Sequence, residues 1–74
     1  MLPHSVLETA DGVMVSIPGK AVTLHFRGVT LEQMRQGYAS YQEGAFIQDA
    51  YPFLDRDQRE FLLTGLTADQ WDAL

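Results

Sequence analysis

Residues 45–74 read AFIQDAYPFLDRDQREFLLTGLTADQWDAL, and the spacing of polar caps, apolar positions and glycine in this stretch decides the fold. Asp55 stands three places before Gln58, the arrangement in which a cap side chain and a glutamine satisfy each other's backbone amides at a helix start. Phe61, Leu62 and Leu63 supply a side that must be buried. Thr64-Gly65 reads as a stop, with the glycine left-handed. Leu66, Thr67, Gln70 and Trp71 then repeat cap, box and flanking hydrophobic pair. The start at Asp55 lacks that pair, because the fourth helical position is the polar Arg59. The stretch predicts two short helices joined by a tight glycine turn, with Phe46, Phe61 and Trp71 in the core.

Upstream, Thr30 with Gln33 forms another capping box, and Val29 with Met34 occupies the staple positions. Leu31, Met34, Tyr38, Tyr41 and Ala45 recur at helical spacing, and Phe46, Ile47 and Ala50 extend the stripe until Pro52, which disfavours helix at Tyr51. Gly37 and Gly44 interrupt it. Each costs about 1 kcal/mol relative to alanine inside a helix, so a kink or stop is expected near Gly44, and close backbone approach to a sheet at Gly37. Before residue 28 the period is two: Val13, Val15 and Ile17 alternate with Met14 and Ser16, and Val22, Leu24 and Phe26 with Thr23, His25 and Arg27. Pro18-Gly19-Lys20 and Asp11-Gly12 are turn signals. A weaker run, Ser5 to Thr9, turns Val6 or Leu7 inward. The expectation is one α+β domain over residues 1–74. A three-stranded antiparallel meander (1–28) is followed by a helical half (29–74) of two or three short helices packed on one sheet face.

The chain has 74 residues, 46% of them apolar, and no cysteine. It therefore has neither disulfides nor thiol chemistry, as in a reducing cytoplasm. The first residues lack the basic-then-apolar pattern of a signal peptide, and no window is apolar enough to span a membrane. The net charge is −5. Residues 1–42 balance Glu8, Asp11 and Glu32 against Lys20, Arg27 and Arg35. Residues 43–74 set seven acids against Arg56 and Arg59, so this half holds the whole excess. Phosphate binding needs the opposite sign, which argues against direct nucleic-acid binding. A basic protein partner suits it.

No constellation carries obvious chemistry. His4 and His25 have no neighbours at metal-ligand spacing, so no metal or other cofactor is expected. Ser5, Ser16 and Ser40 have no nucleophile context, and no glycine-rich phosphate loop occurs. Asp55, Asp57 and Glu60 crowd one turn and Asp69 and Asp72 another, where the helix dipole already accounts for them. With a core this small leaving little room for a cleft, the chain is expected not to be an enzyme. Tyr38, Tyr41, Tyr51 and Phe53 are placed at partial exposure, where aromatic rings contribute most to interfaces.

From Ile47 onward the sequence resembles a pattern of the form IQDAFPxLxxxxREFLxTGxTxxxWD, found in small proteins encoded by bacterial viruses and related mobile elements. The matches are Ile47, Gln48, Asp49, Ala50, Pro52, Leu54, Arg59, Glu60, Phe61, Leu62, Thr64, Gly65, Thr67, Trp71 and Asp72, with Tyr51 where the pattern has phenylalanine. The resemblance implies a phage origin and brings no activity with it. Several matches have structural explanations; Gln48 and Asp49 do not, which puts them first for recognition. The combined expectation is a non-enzymatic accessory factor that binds a protein with a basic surface in the host cytoplasm. It would act as an anti-CRISPR-like inhibitor of a nucleic-acid-binding defence protein. Its binding set is Gln48, Asp49, Tyr51, Phe53, Asp55, Asp57 and Glu60, with the acids as phosphate surrogates. The alternative is a small structural or virion-assembly protein that self-associates, as a homodimer, through an exposed sheet edge or through Tyr38 and Tyr41.

Overall fold

A computed structural model describes all residues 1–74. Three antiparallel strands, β1 (Ser5–Thr9), β2 (Gly12–Ser16) and β3 (Thr23–Arg27), pair in the order β1-β2-β3. Four helices follow: α1 (Leu31–Gln42), α2 (Ile47–Ala50), α3 (Arg56–Thr64) and α4 (Ala68–Asp72). The α+β meander is as expected, and the helical half is cut into four pieces rather than two or three.

Strand register puts Val6, Val15 and Leu24 in one row and Val13 opposite Phe26. Val13, Val15 and Phe26 are at most 1% exposed, so this face meets the helices. Val6 is the inward residue of β1; Leu7 stands on the other face and is 69% exposed. The β1–β2 loop is Ala10-Asp11 rather than Asp11-Gly12, because Thr9 pairs with Gly12. No non-glycine residue has a positive φ, so the loop does not adopt the type I′ form that Asp-Gly favours. At the second turn the Lys20 amide donates to the Ile17 carbonyl at 3.0 Å, with Gly19 at φ +84°, a type II turn with proline second.

All three capping boxes form. The amides of Gln33, Gln58 and Gln70 donate to the side chains of Thr30, Asp55 and Thr67 at 3.0, 2.8 and 3.2 Å. Each glutamine side chain accepts from its cap residue's amide at 2.9 Å. Val29 and Met34 are both buried, as a staple requires. Where the staple is missing, the same two positions are joined in another way: Arg59 Nη1 donates to the Leu54 carbonyl at 2.6 Å. The Asp55 carboxylate thus starts α3, and Asp55→Ala is expected to cost about 1 kcal/mol. A urea midpoint equal to the parent's would show that the cap contributes nothing.

Gly44 stops α1 outright. With φ +103° it donates to the Tyr41 carbonyl at 3.0 Å, and Ala45 donates to Ser40 at 3.1 Å, the paired bonds of a Schellman motif. The apolar stripe is thereby broken, and α2 begins afresh after Phe46.

Within α1 Met34 and Gly37 are buried, Leu31 and Tyr41 are half-buried, and Tyr38, expected on the same stripe, is exposed. The cause is Tyr51. Its ring lies against Gly37 so closely that a Cβ there would come no farther than 3.0 Å from Cδ1, Cε1 and Cζ. The close approach foreseen at Gly37 is therefore to an aromatic ring rather than to the sheet. The remaining core is Ile17, Ala50, Leu54, Phe61 and Leu62. Leu2 donates to the Leu62 carbonyl at 3.0 Å, tying the chain's first residues to α3.

Candidate functional site

Gln48 and Asp49 are exposed on α2, as their lack of a structural duty suggested. Phe46, immediately before them, is 76% exposed. It was expected in the core and is not, because the Schellman motif reverses the chain and the next turn buries Ala50 and Tyr51 in its stead. Tyr51 is the opposite correction. Placed by its aromatic chemistry among the partner-binding residues, it is 0% exposed and is a core residue. Phe53 is half-buried, edge-on to Tyr51 with ring centroids 5.9 Å apart. Trp71 is 44% exposed: α4 is too short to press it onto the sheet, so it too departs from the expected core.

The acids do not behave as one set. Asp55 is exposed, but its carboxylate is occupied in capping α3. Asp57 is exposed at the flank of α3, about 40° round the helix from Phe61, whereas Glu60 is half-buried and falls on the side away from the buried Phe61 and Leu62. At about 100° per residue, Arg56 falls beside Glu60 on that side. The outer surface of α3 is therefore mixed in charge, with two carboxylates and one guanidinium. None of the seven acids of residues 43–74 lies within ion-pair distance of a basic group. Every ion pair in the molecule is made by Asp11, in the strand half.

That strand-half cluster escaped the sequence reading, although the register of the meander could have indicated it. On the sheet face away from the helices, His25 Nε2 lies 3.1 Å from Asp11 Oδ1 and 3.1 Å from Thr9 Oγ1. Thr9 Oγ1 also donates to Asp11 at 3.4 Å, and Arg27 Nε lies 4.0 Å from Asp11 Oδ2. The hydroxyl and the carboxylate meet the same ring nitrogen. A hydroxyl–imidazole–carboxylate relay needs them on opposite nitrogens, so this group ties the β1–β2 loop to β3.

Tyr38 is 49% exposed, whereas Tyr41 is half-buried and accepts a hydrogen bond from the Met1 amino group at 3.5 Å. Beside Tyr38 lies a feature that chain length argued against: a groove of about 500 Å³ between the first residues and α1. It exists because Tyr51 draws Gly37 to the centre of the buried face, leaving Leu31 and Tyr38 at the edge of the apolar stripe. No group of three or more histidine, aspartate or glutamate side chains is placed to hold a metal ion, and no helix is long and apolar enough to cross a membrane.

The fold and these surfaces describe a small α+β protein with a three-stranded meander and a helical half rich in unpaired carboxylates. No protein-family model, no curated protein and no solved structure matches it.

Proposed function

We propose that this chain is a non-enzymatic protein-binding accessory factor whose helical half docks on a protein with a basic surface. One observation carries the reading: all seven carboxylates of residues 43–74 are left without ion-pair partners, while in the strand half Asp11 lies against His25 and Arg27. Unpaired charge of one sign steers association with a surface of the other sign and accelerates encounter. Asp49, Asp57 and Glu60 are the electrostatic set, with Gln48 and Phe46 beside Asp49 as the polar and apolar contacts. Asp55 contributes its negative end only in so far as capping leaves it free. In its specific form, the protein is phage-encoded, as the motif at residues 47–72 suggests, and inhibits a nucleic-acid-binding defence protein by occupying its basic groove, a role that its small size and acidic helical half suit.

The triple variant Asp49→Lys, Asp57→Lys, Glu60→Lys tests this while sparing the cap. A protein captured from cell lysate at low salt, then purified, is expected to bind the variant at least about tenfold more weakly, about 1.4 kcal/mol. A polyanion is expected to displace it from the parent chain. Equal affinity for parent and variant, with the variant's thermal midpoint unchanged, would remove the electrostatic reading. The competing reading is self-association. β1 and β3 are both free sheet edges, and strands with unpaired edges are natural pairing sites. Light scattering separates the two, since the first expects a monomer and the second a discrete oligomer.

A further inference from the structure

We propose that the groove between the amino-terminal segment, β1 and α1 binds a small amphipathic carboxylate: an apolar body carrying one negative head. Its volume, about 500 Å³, is that of a site for a small organic ligand. Leu2, Val6, Leu31 and Met34 give it an apolar lining. The ionisable side chains that line it are Arg35, His4 and Tyr38, with Met1, whose amino group is held by the Tyr41 hydroxyl, beside them; no aspartate or glutamate lines it. In a chain of net charge −5 this is the reverse of the general balance.

Arg35 is exposed and has no ion-pair partner, since Asp11 makes every ion pair in the molecule. A guanidinium in that state offers two parallel N–H donors to a carboxylate. The nearest acid along α1, Glu32, accepts from Gln36 at 3.3 Å and does not line the groove. His4 is held in place: Nδ1 donates to the Leu2 carbonyl at 3.0 Å, and the ring meets Tyr38 edge-on with centroids 6.2 Å apart. The apolar walls select for a hydrocarbon or aromatic body, and the lone guanidinium selects for a single anionic head. None of these residues belongs to the acidic surface, so the site stands or falls independently of the docking function.

Decanoate, decanol and decylammonium share one body and differ only in the head. Each is titrated into the intact protein, followed by calorimetry and by amide chemical shifts. Decanoate is expected to bind with one-to-one stoichiometry and to shift the amides of Val6, Leu31, Arg35 and Tyr38. Decanol and decylammonium are expected to bind at least about tenfold more weakly. Arg35→Gln, at an exposed helical position, is expected to weaken decanoate by about the same factor and leave decanol unchanged, with Arg35→Lys intermediate. The proposal is overturned by equal affinity for decanol and decanoate, or by no saturable decanoate binding up to about 1 mM. It is also overturned if shifts map to the open sheet face or α4, or if a peptide carboxylate binds where decanoate does not.

Discussion

Tyr51→Ala is expected to lower the free energy of unfolding by about 3–5 kcal/mol, the range for truncating a fully buried aromatic ring. That is a large part of what a domain this small possesses, because net stability amounts to roughly 0.1 kcal/mol per residue. The ring is 0% exposed, lies close against Gly37, meets Phe53 edge-on, and carries a hydroxyl whose contact is Met1 Sδ at 3.6 Å. Gly37→Ala probes the same contact from the other side. In an isolated helix this change would stabilise by about 1 kcal/mol. Here the added methyl meets an immovable ring, and overpacking of about 1–3 kcal/mol is expected to outweigh the gain. The sign should reverse in the Tyr51→Ala background, where the methyl enters the space the ring has vacated. Urea denaturation of the four proteins gives the coupling directly. A higher midpoint for Gly37→Ala in the parent chain would show that the ring is not seated as described.

Stability is also expected to fall steeply on the alkaline side. Burial, reinforced by the neighbouring Tyr38 and Tyr41 hydroxyls, pushes the Tyr51 phenol from 10.0 up to about 12. The folded state thus holds a proton that the unfolded chain releases near pH 10. The contribution is fully present below pH 10 and is lost as the pH rises towards 12. At 1.36 kcal/mol per pH unit, the loss over this window is about 3 kcal/mol. Tyr51→Phe is the control. It removes only a weak hydroxyl–sulfur contact, so its cost at neutral pH is expected to be under about 1 kcal/mol. Its unfolding free energy should decline less between pH 10 and 12 than the parent's. Parallel alkaline limbs for the two proteins would show that Tyr51 is not the group responsible.

Local chemistry was legible wherever the deciding partner lay within a few residues. Thr30 with Gln33, Asp55 with Gln58 and Thr67 with Gln70 each satisfy one another's amides across three positions, so spacing alone identified all three helix starts. The alternation in β2 and β3 likewise named Val13, Val15 and Phe26 as core, because one strand face must be dry. The absence of a staple at Arg59 was also legible; its replacement by a bond to the Leu54 carbonyl was not, since a side chain's reach to a backbone oxygen leaves no pattern in hydropathy.

The recognition residues divide in the same way. Gln48 and Asp49 stand out in the sequence because no cap, stripe or turn requires them, and both prove exposed. Tyr51 and Phe46 exchange their expected places: the ring read as part of a binding surface fills the core, and the one read as core is exposed.

What the sequence by itself determined is the list of elements and their order: a β-meander, then helices whose starts are written in three-residue spacings. What only the tertiary structure decided is which apolar side chains those elements cover. Eight aromatic rings compete for one small core. Tyr51 occupies it and Phe46 does not, because Gly37, on another helix, has no Cβ where the ring lies, and the reversal at Gly44 delivers Tyr51 to that place. Periodicity records the direction in which a side chain points along its own element. It carries no information about which other element will be there to receive it.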